Sequence, residues 1–274
     1  MSTTKITLTG VQETLLLPLW GRAHETKKDK PLLIDKEAVR IIDQIDYDFS
    51  QIERRVNPLS RMAWVARSIY FDQKIADFLT SFPNGTIINI GCGLDTTYER
   101  VHNGKATWYE LDFPEVIETR KKVVQETSNR IFLPYSVFDP TWYAAVTAKS
   151  HVLVMIAGVI YYFQENEIKE LVKALSDHFG TVQMIFDYSS IKGVEIANKK
   201  VIDDGGMDKS AYLKWGVNDI RAIEAWKCGI TVDENMKMFA DHRKKYPFPK
   251  RLGMWISDAL SIMSLAKITI QKNG

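Results

Sequence analysis

The chain has 274 residues, of which 45% are hydrophobic and 26% are charged, and its 36 Lys and Arg residues nearly balance 34 Asp and Glu residues. These proportions exclude disordered and collagen-like chains, and the net charge of +2 gives no support for a nucleic-acid-binding domain. Two cysteines cannot form a disulfide framework and no Cys/His spacing suits zinc, so we expect a reducing, cytoplasmic location and no metal. The longest apolar run, residues 152–163, is too short to cross a bilayer, and no signal-peptide pattern is present, so we expect neither a membrane partner nor secretion.

The first part of the chain predicts helices that cover a sheet. Residues 1–66 carry short helical patterns and are expected to form an N-terminal helical cover. An apolar stripe at helical spacing then runs through residues 71–82 and ends at Asn84 and Gly85, which are typical of a turn.

Residues 67–189 alternate strand-like and helix-like segments and are expected to form the cofactor-binding core. The strand-like runs are at 86–90, 107–112, 131–137, 151–157 and 182–189. Between the last two, apolar residues at helical spacing from Ile168 to Phe179 precede Gly180, a residue typical of a helix end. This alternation predicts parallel strands joined by helical crossovers.

The last part of the chain is less regular. Residues 190–228 contain a break at Gly205 and Gly206 and are expected to form a second cover over the substrate. Residues 229–274 carry two strand-like runs, at 231–239 and 265–271, joined by a basic segment, 242–251, that we expect to be a solvated turn. We find no repeat or linker, so we expect one domain with a seven-stranded sheet.

A glycine turn follows the first predicted strand. Gly91 and Gly93 end the run 87–90 and precede a helix, which exposes backbone and a helix N-terminus to a ligand. A dinucleotide fold would have a third glycine where Thr96 stands. Asp112 ends the second strand about twenty residues later, where a carboxylate can accept ribose hydroxyls, and Glu110 on the same face is the alternative. This pattern favours adenosine without a pyrophosphate, as in S-adenosylmethionine.

The sequence resembles a known family, the class I S-adenosylmethionine-dependent methyltransferases of the leucine carboxyl methyltransferase and polyketide O-methyltransferase group. The matching segments are ETLLLPLWGRAHET (13–26), Arg67 within VARSIYFD, NIGCGLDTTYERV (89–101), YELDFPEVIETRKK (109–122), YSVFDPTW (135–142) and IAGVIYYFQENEIKELV (156–172). The resemblance implies a Rossmann-like α/β fold with strand order 3-2-1-4-5-7-6, the last strand antiparallel, beneath the N-terminal helical cover.

The resemblance also implies how S-adenosylmethionine binds. Arg67 would bind the methionine carboxylate, Gly91 and Gly93 would pass against the methionine and ribose, and Asp112 would hold the ribose. Ser136 and Val137 would contact adenine, with Asp139 as a substitute for Ser136, and Ala157 would lie under the cofactor at the end of the fourth strand.

Candidates for contact with the methyl acceptor are fewer. His24 in the cover is the histidine that we expect near the mouth, as a base or as a plain structural residue. Tyr161 and Tyr162 follow the fourth strand and either orient the acceptor or pack in the core. Tyr212, together with Trp215, either lines an aromatic acceptor pocket or packs the second cover. Arg22 either attracts an acidic acceptor or forms an ion pair.

These observations predict an O-methyltransferase that acts on a small carboxylate or hydroxyl compound, such as a polyketide-like acceptor. The protein carboxyl methyltransferases of the group carry Glu where this chain has Ala157, which favours the small-molecule branch. Two alternatives remain open, carboxyl methylation of a protein C-terminus and binding of S-adenosylmethionine without turnover. The oligomeric state is open as well.

Overall fold

The computed structural model describes residues 13–147, 151–199 and 212–272. A seven-stranded sheet lies at its centre. The strands are β1 (Thr86–Ile90), β2 (Thr107–Asp112), β3 (Arg130–Pro134), β4 (Val152–Ile156), β5 (Val182–Tyr188), β6 (Ile230–Lys237) and β7 (Ser264–Ile270). The α-helices are α1 (Glu13–Thr26), α2 (Lys36–Gln44), α3 (Phe49–Arg55), α4 (Pro58–Ser81), α5 (Thr97–Val101), α6 (Pro114–Lys121), α7 (Trp142–Ala145), α8 (Glu165–Phe179), α9 (Ile191–Ala197) and α10 (Phe248–Ala259). Short 3-10 helices lie at Ile160–Tyr162, Ile220–Trp226 and Arg243–Lys245.

The strand order is β3-β2-β1-β4-β5-β7-β6, as the resemblance implies. Strands β1 to β5 are parallel to one another, and β7 is antiparallel to both β5 and β6. All five residues of β1 and of β4 are buried, as expected for parallel strands covered by helices on both faces. The winding reverses between β1 and β4, which is where open α/β sheets bind ligands at the carboxyl ends of their strands.

Helix α4 brings residues of the N-terminal part across the sheet. It begins with Asn57, whose side chain accepts a hydrogen bond from the Leu59 amide, and with Pro58 in its first turn. It runs through to Ser81 and buries Phe71 and other apolar residues against the sheet. It therefore starts before the predicted stripe, and Arg67 belongs to the same continuous helix.

Several predicted segments differ from the structure in their ends or type. Strand β3 ends at Pro134, so Ser136 and Val137 lie beyond it. The predicted solvated turn at 242–251 is wrong, because α10 begins within it at Phe248, with Pro247 and Pro249 at its start. The predicted break at Gly205 and Gly206 lies outside the described residues.

Other predicted elements agree with the structure. Helix α8 begins with a capping box formed by Gln164 and Glu167 and ends at Gly180, whose φ is 74°. The two predicted C-terminal strands correspond to β6 and β7. In the described parts of the chain, no helix combines the length and apolar character needed to cross a bilayer.

Candidate active site

The turn after β1 is packed from two sides. Gly91 and Gly93 have φ values of 67° and 46°, which glycine adopts without the steric penalty of a Cβ atom. A Cβ atom on Gly91 would lie 2.5 Å from Cγ2 of Val159, in the loop after β4, and one on Gly93 would lie 3.0 Å from Cδ2 of Leu15 in α1. The turn is therefore held between the loop that follows β4 and the first helix of the cover.

Asp112 lies at the end of β2 beside this turn. One of its oxygens accepts a hydrogen bond from the Gly93 amide (2.7 Å) and the other accepts one from the Phe113 amide (2.8 Å). Burial raises the pKa of Asp112, and the two amides partly oppose that rise. Each carboxylate oxygen retains acceptor capacity for a further donor at the open edge of the sheet.

Glu110 has a different environment from Asp112. It is 1% exposed, and both its oxygens accept hydrogen bonds from Arg120 and from Arg130, at 2.9 to 3.0 Å. Arg120 also donates to the Gly93 carbonyl (2.8 Å). Glu110 thus ties the glycine turn, α6 and β3 to β2, and this arrangement does not fit the alternative in which Glu110 holds a ribose.

Arg67 is paired with a carboxylate that the sequence analysis did not select. Its Nη1 donates to Oδ2 of Asp187 on β5 (2.8 Å), and the Gly158 amide donates to Oδ1 of the same carboxylate (2.6 Å). Burial by itself lowers the pKa of Arg67, but Asp187 and Tyr161 keep that pKa above its usual range. A Cβ atom on Gly158 would lie 2.7 Å from the Arg67 Nη1, so glycine is needed there for the pair to form.

Tyr161 and Tyr162 lie in the 3-10 helix after β4, beside this ion pair. Their ring centroids are 5.2 Å apart, and the ring planes are inclined at 62°. Burial, together with the Asp187 carboxylate, raises the pKa of Tyr161 well above its usual range, and burial also raises that of Tyr162. Both hydroxyls are therefore protonated at neutral pH, and the Tyr161 oxygen accepts a hydrogen bond from Arg67.

Comparisons with known proteins decide the family. The family model for leucine carboxyl methyltransferase matches residues 16–176, more than half of the chain. The chain belongs to the leucine carboxyl methyltransferase family. It is a methyltransferase that uses S-adenosylmethionine.

Three proteins illustrate the similarity of this family member to others. It is 28% identical to the tetracenomycin polyketide synthesis O-methyltransferase TcmP of Streptomyces glaucescens over 235 residues, 85% of each chain. It is 25% identical to the S-adenosyl-L-methionine-dependent methyltransferase dpfgK of Gibberella zeae over 259 residues, 88% of this chain and 86% of that one. A solved structure of a duf574 family protein from Streptomyces avermitilis superposes with a TM-score of 0.60 at 11% identity, covering 95% of this chain and 97% of that one, which shows likeness of fold.

In this methyltransferase the residues proposed for adenine lie in the loop after β3. Ser136 and Val137 are half-buried, and the Val137 carbonyl accepts a hydrogen bond from Nε1 of Trp142 (3.0 Å). Oδ1 of Asp139 accepts hydrogen bonds from the amide and hydroxyl of Thr141. Ala157 is half-buried at the end of β4, next to Gly158.

His24 lies in the last turn of α1 and is half-buried. Its ring lies 5.3 Å from that of Trp20, and burial together with the nearby Arg61 lowers its pKa. Two residues earlier, Arg22 donates to the Leu94 carbonyl (3.4 Å), so this end of α1 runs beside the glycine turn. A role for His24 as a base stays a prediction.

The other candidates for contact with the acceptor are Trp215, Tyr212 and Arg22, and their environments differ. Trp215 is 4% exposed and packs in the core with Trp226, as in the packing alternative. Its amide donates to the Tyr161 carbonyl (3.1 Å), which draws the segment after Tyr212 over the site. Tyr212 is half-buried at the start of that segment. Arg22 forms a buried ion pair with Asp35 (2.9 Å), the structural alternative given above.

Asp187 is the main site residue that sequence reasoning missed. A signal was present, because it is the single charged residue of the otherwise apolar or neutral strand β5, VQMIFDY. An ionised side chain is retained in such a position only with a partner of opposite charge. The sequence does not indicate which cation that partner is.

Proposed function

We propose that this methyltransferase transfers the methyl group of S-adenosylmethionine to a carboxylate or hydroxyl oxygen of a small, polyketide-like acceptor. The observation that carries the proposal is the similarity to TcmP, a polyketide O-methyltransferase by name, along 85% of each chain. Ala157 supports it, because the protein carboxyl methyltransferases that the chain resembles carry Glu at that position. The alternatives are a protein C-terminus as acceptor, and binding without turnover.

The residues of the described site suit S-adenosylmethionine chemically. The guanidinium of Arg67 has five N–H donors, of which Asp187 accepts one and Tyr161 another, so it retains donors for the methionine carboxylate. Asp112 retains acceptor capacity for the ribose hydroxyls. We further assign the methionine and ribose to the backbone at Gly91 and Gly93, adenine to Ser136 and Val137, and the floor beneath the cofactor to Ala157.

S-adenosylmethionine supplies an already activated methyl group, so the protein mainly has to align the acceptor oxygen and exclude water. Protonated Tyr161 and Tyr162 can donate hydrogen bonds that orient an acceptor oxygen, and neither can remove a proton. A carboxylate acceptor is ionised at neutral pH and needs no base. The two tyrosines therefore suit a carboxylate acceptor better than a hydroxyl acceptor.

The test uses S-adenosylmethionine labelled in its methyl group and an extract separated by size into metabolite and protein fractions. We expect label in the metabolite fraction, and we expect mild alkali to release it as methanol, because a methyl ester hydrolyses where a methyl ether does not. The Asp112→Ala variant, which should lose cofactor affinity, is the matched blank. Label in the protein fraction would instead support C-terminal methylation, and cofactor binding without any transfer would support a silent binder.

A further inference from the structure

Helix α10 carries a stripe of large apolar side chains that face solvent. Its members and their exposed fractions are Phe248 (77%), Leu252 (54%), Trp255 (56%), Ile256 (45%) and Leu260 (41%), the last being the residue that ends the helix. Their spacing of four, three, one and four residues keeps them on one side of a helix. In soluble proteins that side of a surface helix is normally charged or polar.

The opposite side of α10 anchors it to the protein. Met254 is fully buried in the core, and Asp258 is 5% exposed and accepts a hydrogen bond from the Phe239 amide (3.1 Å). The helix is therefore already packed through another face. The apolar stripe, residues 248, 252, 255, 256 and 260, does not contribute to that packing.

Positive charge accumulates where the helix begins. Residues 241–251 contain five Lys and Arg residues and one carboxylate, Asp241. Lys244, Lys245 and Lys250 are exposed, and in the parts of the chain that the structure describes none of them is paired with a carboxylate. Unneutralised cations thus lie within about one turn of Phe248, at the end of the apolar stripe.

The stripe lies at the edge of the sheet that carries the candidate active site. Ser264, the first residue of β7, pairs with Tyr188, the last residue of β5, so the end of α10 lies near the carboxyl end of β5. Ser190 at the start of α9 donates to the carbonyls of Leu260 and Ser261. Asp187 is three residues before Ser190, so the Leu260 end of the apolar stripe lies at the same edge of the sheet as the Arg67–Asp187 pair.

We propose that the apolar stripe of α10 and the lysines beside it dock on the surface of an anionic lipid bilayer. A helix with Phe, Leu and Trp on one face and cations nearby lies in the membrane interface, with its apolar face among the acyl chains and its cations at anionic headgroups. This inference goes beyond the proposed function and does not depend on it. It would place the active-site edge of the sheet next to a phase in which lipophilic acceptors collect.

A second copy of the chain is a weaker occupant. A stable protein interface buries about 800 Å² on each partner, whereas the apolar stripe is a single helix face about 18 Å long. A symmetric contact through the stripe would also leave the three lysines without an anionic partner. A bilayer accommodates the narrow apolar stripe and supplies anionic headgroups for the lysines, and it requires no shape complementarity.

The expectation of no membrane partner rests on the lack of an apolar segment long enough to span a bilayer. Helix α10 has 12 residues, too few to span a bilayer. A helix that lies on a surface needs a one-sided apolar face instead of length. That face is apparent only when the tertiary structure shows which residues of α10 are exposed.

The test is sedimentation of the full chain, without cofactor or acceptor, with vesicles of phosphatidylglycerol and phosphatidylcholine or of phosphatidylcholine alone. We expect partition into the anionic vesicles to be at least about tenfold stronger, because the three lysines attract anionic headgroups. Leu252→Ser with Trp255→Ser should weaken it about 100-fold, because each large side chain contributes about tenfold or more. Ile34→Ser, at a residue of the cover that is 59% exposed, is the matched control and should bind as the unmodified protein does.

Two triple variants test how much the lysines contribute to vesicle binding. Lys244→Gln, Lys245→Gln and Lys250→Gln together should remove the preference for anionic vesicles, and the same change at exposed Lys105, Lys122 and Lys173 should not. Unchanged thermal unfolding and unchanged S-adenosylmethionine binding verify that each variant is folded. The proposal is overturned if the unmodified protein ignores anionic vesicles or if the Leu252/Trp255 variant binds them equally well. It is also overturned if light scattering finds a dimer that this variant dissociates.

Discussion

At the scale of single residues, Asp112 is the carboxylate through which the protein is proposed to hold the ribose. Replacing it with Asn removes the charge and retains the shape, so we expect the Kd for S-adenosylmethionine to rise about 10- to 100-fold, the usual contribution of hydrogen bonds to a charged group. Isothermal titration measures this change. Glu115→Gln, an exposed carboxylate in the next helix, is the control. An unaltered Kd for Asp112→Asn would remove Asp112 from the site.

Asp187 neutralises the buried guanidinium of Arg67. In Asp187→Asn the amide oxygen can still accept from the Gly158 amide, but Arg67 is left buried without a counter-charge. We expect the free energy of unfolding to fall by about 3–5 kcal/mol. Urea denaturation of this variant, of Arg67→Gln and of the double variant gives the coupling between the two residues. Fully additive losses would contradict the ion pair as a unit.

At the scale of one element, the turn after β1 depends on two separate requirements at Gly91. Ala at this position has to adopt a φ of 67° and also has to displace Val159, whose Cγ2 would be 2.5 Å from the new Cβ atom. We expect Gly91→Ala to lose at least about 2 kcal/mol of stability and most cofactor affinity, as thermal unfolding and titration would measure.

Gly104 provides the matched control for that turn. Its φ is 72°, nearly the same, but a Cβ atom there would meet nothing within 4 Å. Gly104→Ala therefore isolates the backbone penalty, about 1 kcal/mol, from the steric contact with Val159. Equal losses in the two variants would show that the packing of the loop after β4 on the turn is unimportant.

At the scale of the whole molecule, a buried charge network joins the N-terminal cover to the sheet. Asp35, before α2, accepts hydrogen bonds from Arg22 of α1 (2.9 Å) and Arg100 of α5 (2.6 Å). Asp95, in the glycine turn, lies 3.9 Å from Arg22 and accepts a hydrogen bond from the Thr97 amide (2.8 Å). This network attaches the cover to the turn that is proposed to bind the cofactor. Protonation of Asp95 at low pH should weaken the attachment, so the stability of the protein in acid measures its contribution.

Burial raises the pKa of Asp95, but Arg22 and Arg100 more than offset that effect and lower it to about 2. Because the pKa is lower in the folded state, the stabilisation of about 2 kcal/mol is complete above about pH 5 and is lost as the pH falls through the folded pKa of about 2. We expect the stability difference between the unmodified protein and Asp95→Asn, measured by urea denaturation, to shrink between pH 5 and pH 2. Asp77→Asn, at an exposed site, should show no such pH dependence.

The sequence by itself determined the strands, the glycine turn and Asp112, because period-two and period-3.6 patterns and glycine turns are local in the chain. The quoted motifs were specific enough to imply the strand order through resemblance. Tertiary structure alone decided the partners: Arg67 meets Asp187 across 120 residues, and Glu110 pairs with both Arg120 and Arg130. It also decided which face of α10 is exposed. Such pairings depend on how elements cross in space, and no local spacing encodes that.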